Sequence, residues 1–147
     1  VRLLDIVEKT MNGDHRYNFT TMHKLAFVYR TLKKYPEAEK LLLKALKTID
    51  TPLGPCEEFK LDLALVCVDQ DKNAEADTNF QQAINGFLQR KNYPRLAEAL
   101  EAYAQFLNSQ GRKEEAQQTE ARAQHIRATN HTHEHPNDIF PSTLLRA

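Results

Sequence analysis

A five-residue apolar string returns three times in this chain. Leu25 to Tyr29 reads Leu-Ala-Phe-Val-Tyr, Leu63 to Cys67 reads Leu-Ala-Leu-Val-Cys, and Tyr103 to Leu107 reads Tyr-Ala-Gln-Phe-Leu. The offsets are 38 and 40 residues. Each string is followed at constant distance by two small residues: Ala38 and Ala45, Ala76 and Ala83, Ala116 and Ala123. The matched columns are small or apolar while those between them vary, which is the mark of an interface requirement. A period of this length restricts the chain to repeat architectures.

The period inside each copy is helical. Residues 37–50 carry Ala38, Leu41, Leu42, Ala45, Leu46 and Ile49 at the i, i+3, i+4, i+7 spacing of one apolar face, and residues 74–88 do the same with Ala76, Phe80, Ala83, Ile84, Phe87 and Leu88. Preceding helices are expected at about 18–33, 57–71 and 95–109. Pro36 and Pro94 sit where a first helical turn tolerates a missing N–H. Gly111 follows the third front helix where a left-handed C-cap residue is wanted. No segment alternates at period two for more than a few residues, so no strand is expected. Each copy is thus two antiparallel helices joined by a short turn. The small residue after Leu25, Leu63 and Tyr103 lets the partner helix approach closely. One such hairpin cannot bury both faces alone, so neighbours must stack into an α-solenoid whose concave surface is lined mainly by the front helices.

The pattern Leu-Ala-x-x-Tyr…Ala…Leu…Ala in residues 25–45 resembles a tetratricopeptide repeat. The second copy departs from it with Cys67 in the Tyr column, and the third with Tyr103 and Leu107 exchanging size and Glu120 replacing the aromatic. The period near 40 is more similar to the long-helix repeats of kinesin light chains than to the 34-residue form. The resemblance implies an all-α, right-handed α-solenoid of stacked antiparallel helix hairpins. Its expected organisation is the second helix and loop of a preceding repeat at 1–15, then repeats at 16–52, 53–91 and 92–130. Residues 131–147 read as a His-containing tail or the start of a further repeat. Both ends fall inside partial copies, so the chain is expected to be part of a longer array. In the third back helix Glu120, Gln124 and Arg127 stand where the other copies have Leu42, Leu46 and Ile49, or Phe80, Ile84 and Phe87, giving the polar outer face that caps a solenoid.

Composition excludes several function classes. The chain has 147 residues, enough for about one domain. Lys plus Arg and Asp plus Glu number 20 each, which leaves no basic field for a phosphate backbone, so nucleic acid is not an expected partner. Mean hydropathy is −0.64 and no apolar run nears 18 residues, so no membrane span is expected. No basic-then-apolar leader opens the sequence. Cys56 and Cys67 form no CxxC motif; a buried free thiol at Cys67 in a reducing, cytoplasmic compartment is the expectation. The four glycines are isolated, no GxSxG, GxxxxGKS/T, GxGxxG or HExxH occurs, and the adjacent acids Glu57–Glu58 and Glu114–Glu115 diverge on a helix. No catalytic residues are expected, and no enzyme.

Function must then come from surface presentation. The resemblance implies that the front helices turn His23, Lys24, Phe27 and Arg30, then Leu61, Asp62, Leu65 and Asp69, then Glu101, Gln105 and Asn108 into a peptide-binding groove. Thr20, Glu58, Glu98 and Ala102 share that register. The groove should run from basic through apolar to acidic, with Phe27, Leu61 and Leu65 as anchors. A partner helix or extended segment, free or in other domains of a longer parent chain, is the expected ligand. The carboxylate clamp of chaperone-binding members is not expected, because its positions hold His23, Phe27, Asp62, Glu98 and Ala102, with acids where cations are needed. A structural spacer or self-association module is the alternative reading. His131, His133 and His135 have the residue type for zinc or nickel, but Pro136 and polar neighbours argue against a fixed site, so no metal and no cofactor is expected.

Overall fold

The computed structural model describes residues 15–49 and 56–130. Among these residues every regular element is an α-helix: α1 (His15–Thr31), α2 (Tyr35–Thr48), α3 (Cys56–Asp69), α4 (Asn73–Gln89), α5 (Tyr93–Ser109) and α6 (Lys113–Asn130). The front helices expected from periodicity are α1, α3 and α5, and the back helices are α2 and α4. Pro36 and Pro94 lie in the first turns of α2 and α5. The partial copy before His15 and the histidines 131, 133 and 135 lie outside the described residues. Two compact units divide the chain, Val1–Ala83 and Ile84–Ala147, with the boundary inside α4.

In the first unit α1 and α2 pack on one another, and α3 packs on both. The close approach rests on alanine: Ala26, Ala38, Ala45 and Ala64 are exposed by 2 % or less, and so are Ala76 and Ala83 of α4. Phe59 at 1 % and Phe80 at 0 % are the largest side chains enclosed there, each burial contributing about 1.5–3 kcal/mol. Phe19 meets Phe59 edge-on at 5.9 Å between ring centroids, joining α1 to α3. Contacts fix the helix directions. Partners on α1 and α3 advance together (His23 with Asp62, Arg30 with Asp69), so those helices run parallel. Partners on α3 and α4 advance oppositely (Lys60 with Gln82, Cys67 with Asn79), so that pair is antiparallel.

In the second unit α5 and α6 pack together. Leu96, Leu100 and Leu107 of α5 are exposed by 1 % or less, as are Ala116, Ala123 and Ile126 of α6. Thr119 and Thr129 are also buried, and each hydroxyl donates to the carbonyl one turn back, Glu115 at 2.7 Å and His125 at 2.9 Å. Such back-bonding satisfies a buried hydroxyl within its own helix. Glu120 is half-buried and Gln124 and Arg127 are exposed, the polar face expected of this helix.

Four turns share one hydrogen-bond scheme. The N–H groups of Lys34, Lys72, Asn92 and Arg112 donate to the carbonyls of Tyr29, Cys67, Phe87 and Leu107, each at 2.8–3.0 Å. Inside each, Lys33, Asp71, Lys91 and Gly111 donate to the carbonyl three residues back. This is the Schellman arrangement, which needs one left-handed residue. Gly111 takes φ +77° as expected, but Lys33, Asp71 and Lys91 adopt φ 57–59° without being glycine. Sequence reading missed these three because the tertiary pairing of the helices overrides a local preference of about 1 kcal/mol.

Candidate functional site

On the first unit, two cross-helix pairs join α1 to α3. His23 Nδ1 pairs with Asp62 Oδ2, and Arg30 Nε donates to Asp69 Oδ2 at 2.5 Å. The partners are seven residues apart on both helices, about two turns, so the pairs lie on one face like rungs. Between them on α1 stands Phe27, 67 % exposed, and between them on α3 stands Leu65, half-buried. Leu61 is only 5 % exposed and belongs to the core of the unit. Lys24 is exposed and makes no ion pair with a described residue. The pairs are partly solvated and each contributes at most about 1 kcal/mol. Their larger consequence is electrostatic: Arg30 and Asp69 cancel locally and Asp62 is bonded to His23, so base and acid do not separate along the face.

The α5 positions have different surroundings. Arg127 Nε and Nη2 donate to the two Glu101 oxygens at 2.6 and 3.0 Å, a bidentate pair closing the α5–α6 hairpin. The guanidinium holds the Glu101 carboxyl below its ordinary value. Glu101 is therefore committed within its own hairpin, whereas Gln105 and Asn108 are exposed. Sequence reading assigned Arg127 to a polar cap and missed its partner.

A second network, also missed, joins α2 to the turn between α3 and α4. Lys72 Nζ donates to both Glu39 oxygens at 3.0 and 2.8 Å, and Gln70 Nε2 adds a third bond at 3.0 Å. These bonds hold the Glu39 carboxyl below 4.5 and raise the Lys72 ammonium. A signal for the rungs did exist: base and acid recur at an offset of 39, one more than the repeat offset of 38. Cys67 is fully buried, and burial, reinforced by the nearby Glu39 and Glu75 charges, pushes its thiol to about 11. At neutral pH it is an inert core residue; Cys56, half-buried, is also a free thiol. No three described His, Cys, Asp or Glu residues are grouped to hold a metal ion. No helix among the described residues is long and apolar enough to cross a membrane.

Residues 19–49, most of α1 and all of α2, match the family model of the tetratricopeptide repeat. The match covers the first hairpin alone, and tetratricopeptide repeats generally mediate protein–protein interaction. No curated relative matches the chain.

Proposed function

We propose that this chain is a non-catalytic interaction module that captures a helix or extended segment of a partner protein on the α1–α3 face of its first unit. The observation that carries the reading is Phe27. It is 67 % exposed on a helix that buries Met22, Leu25, Ala26 and Tyr29, so the fold does not need an aromatic there. Phe27 and Leu65 are the anchors, Lys24 is the cation at their side, and the His23–Asp62 and Arg30–Asp69 pairs frame them. Framing groups that already bond one another favour a ligand recognised by apolar side chains and few charges. Gln105 and Asn108 are proposed as contacts by the same register. The three hairpins are proposed as repeats of the long-helix kind similar to kinesin light chains; six helices of 14–18 residues and buried alanines in each support this. A reducing, cytoplasmic setting is proposed because both described cysteines are free thiols.

Selection of a displayed random-peptide library on the chain tests the reading. Selected peptides should carry aromatic or branched apolar anchors and lose about thirtyfold in affinity on Phe27→Ala, the size of one interface hot spot. Equal affinity for the variant, with unchanged circular dichroism, overturns it.

A second reading, self-association through α1 and the turn after it, rests on the other exposed apolar residues there. Val28 is 38 % and Leu32 53 % exposed, although the register equivalents of Val28, Val66 and Phe106, are buried to 1 % and 4 %. Light scattering should then show mass rising with concentration and Val28→Lys abolishing the rise. A monomer at all concentrations defeats this reading.

A further inference from the structure

The first unit carries a cleft of about 440 Å³ whose described lining residues come from α2, α3 and the start of α4. An apolar cavity of about 150 Å³ already holds a benzene ring, so the cleft has room for two or three such groups.

The exposed part of its apolar wall, Leu43, is not required by the fold, whereas Leu63 is a core residue at 5 % exposure. Leu41 and Leu42 of α2 are buried to 8 % and 0 %, while the next residue, Leu43, is 45 % exposed and lines the cleft with Leu46 and Leu63. The register equivalents of Leu43 are the exposed Gln81 and Ala121, so hairpin packing tolerates a small or polar residue there. The facing wall carries a polar side chain. Where α2 has Leu41 and α6 has the buried Thr119, α4 has the half-buried Asn79.

Charge at the mouth is unbalanced on one side. Glu75 lines the cleft and makes no ion pair of its own among the described residues. The Lys72 ammonium, which feels the Glu75 charge, gives its hydrogen bonds to both Glu39 oxygens. On the other side Lys60 Nζ donates to Gln82 Oε1 at 2.5 Å and keeps further protons for a carbonyl. Asn79 donates its amide to the Glu75 carbonyl at 2.9 Å, leaving its own oxygen to accept from an N–H.

We infer that this cleft is a second peptide-docking site, taking an extended segment of a partner protein in which an apolar side chain stands beside a lysine or arginine. The apolar side chain fills the space over Leu43, Leu46 and Leu63. The cation meets Glu75, and the peptide backbone bonds with Lys60 and Asn79. The site is independent of the Phe27 face, so either stands without the other.

Capped synthetic hexapeptides with two leucines flanking a lysine, a glutamate counterpart, and a lysine peptide with serines for the leucines are titrated into the chain, followed by amide resonances. The leucine–lysine peptide should shift the amides of Leu43, Leu63, Thr78 and Asn79 and bind about two- to fivefold tighter than the glutamate peptide, the range of a partly exposed ion pair. Glu75→Gln should erase that preference. Leu43→Ser should weaken binding about tenfold, and Phe27→Ala should leave it unchanged. Both altered side chains are exposed, and thermal melting of each variant checks that the fold is kept. Absence of shifts at the cleft, equal binding of the serine peptide, a lysine preference that survives Glu75→Gln, or loss of binding on Phe27→Ala each overturns the inference.

Discussion

All four large apolar side chains exposed among the described residues, Phe27, Val28, Leu32 and Leu43, lie in α1, α2 and the turn joining them. The α5–α6 hairpin exposes none of this kind among its described residues. Both hairpins have the same alanine columns, the same turn and an equally closed interior. The contrast separates what a hairpin of this class needs from what it does not. It needs small residues at the helix crossing and one apolar stripe on each helix. Apolar residues outside the stripe add little to the packing and leave exposed apolar surface. The α5–α6 hairpin also closes with a bidentate Arg127–Glu101 pair, whereas α1 pairs its charges with α3 around Phe27.

The sharpest way to break this comparison is to truncate matched residues. Leu100→Ala removes a side chain with 0 % exposure and should cost about 2–5 kcal/mol in urea unfolding. A loss below about 1 kcal/mol would mean that the α5–α6 core is looser than described. Next in size are the turns. Gly111→Ala forces a side chain into φ +77° and should cost about 1 kcal/mol, although nothing within 4 Å would clash. Lys33→Gly, Asp71→Gly and Lys91→Gly should each gain up to about 1 kcal/mol by relieving the same strain. Midpoints moving in the opposite sense would show that the left-handed residues carry no strain in these turns.

Smaller effects appear in acid. The folded pKa values of Glu39 and Glu101 are depressed by their cationic partners, so the stability they contribute is present above their ordinary value near 4.5 and lost as pH falls through the lower folded values. Glu101→Gln should therefore be less stable than wild type at pH 7 and converge on it below pH 4.5, as followed by melting temperature. A gap independent of pH would remove the Arg127 ion pair from the account. Smallest of all, Phe27→Ala and Leu32→Ala should change stability by less than about 0.5 kcal/mol, since these side chains are 67 % and 53 % exposed. A large destabilisation of either would make it part of the repeat core and close the contrast between the hairpins.

Much of the fold was legible because helical periodicity and the alanine spacing are local. Ala38, Ala76 and Ala116, matched only by their place after the apolar string, are buried to 0, 0 and 1 %. Leu61 shows the limit. It shares its register with His23 and Glu101, yet it is buried while they are half-exposed. Register places a residue on a helix face, but a small rotation of that face toward its neighbour decides between core and surface. The left-handed lysines and aspartate of the turns were hidden for a related reason: no glycine marked them, and the geometry was imposed by helices meeting from both sides.

The order of the chain alone determined that it folds as repeated helical hairpins, where they bend and which alanines sit at the crossings, because backbone hydrogen bonding and side-chain spacing act within a few residues. Tertiary structure alone decided which base meets which acid, that Phe27 stands clear of the core, and that a cleft opens beside Leu43. Those outcomes depend on how far helices distant in sequence approach and turn, and contacts between distant segments leave no local periodic trace.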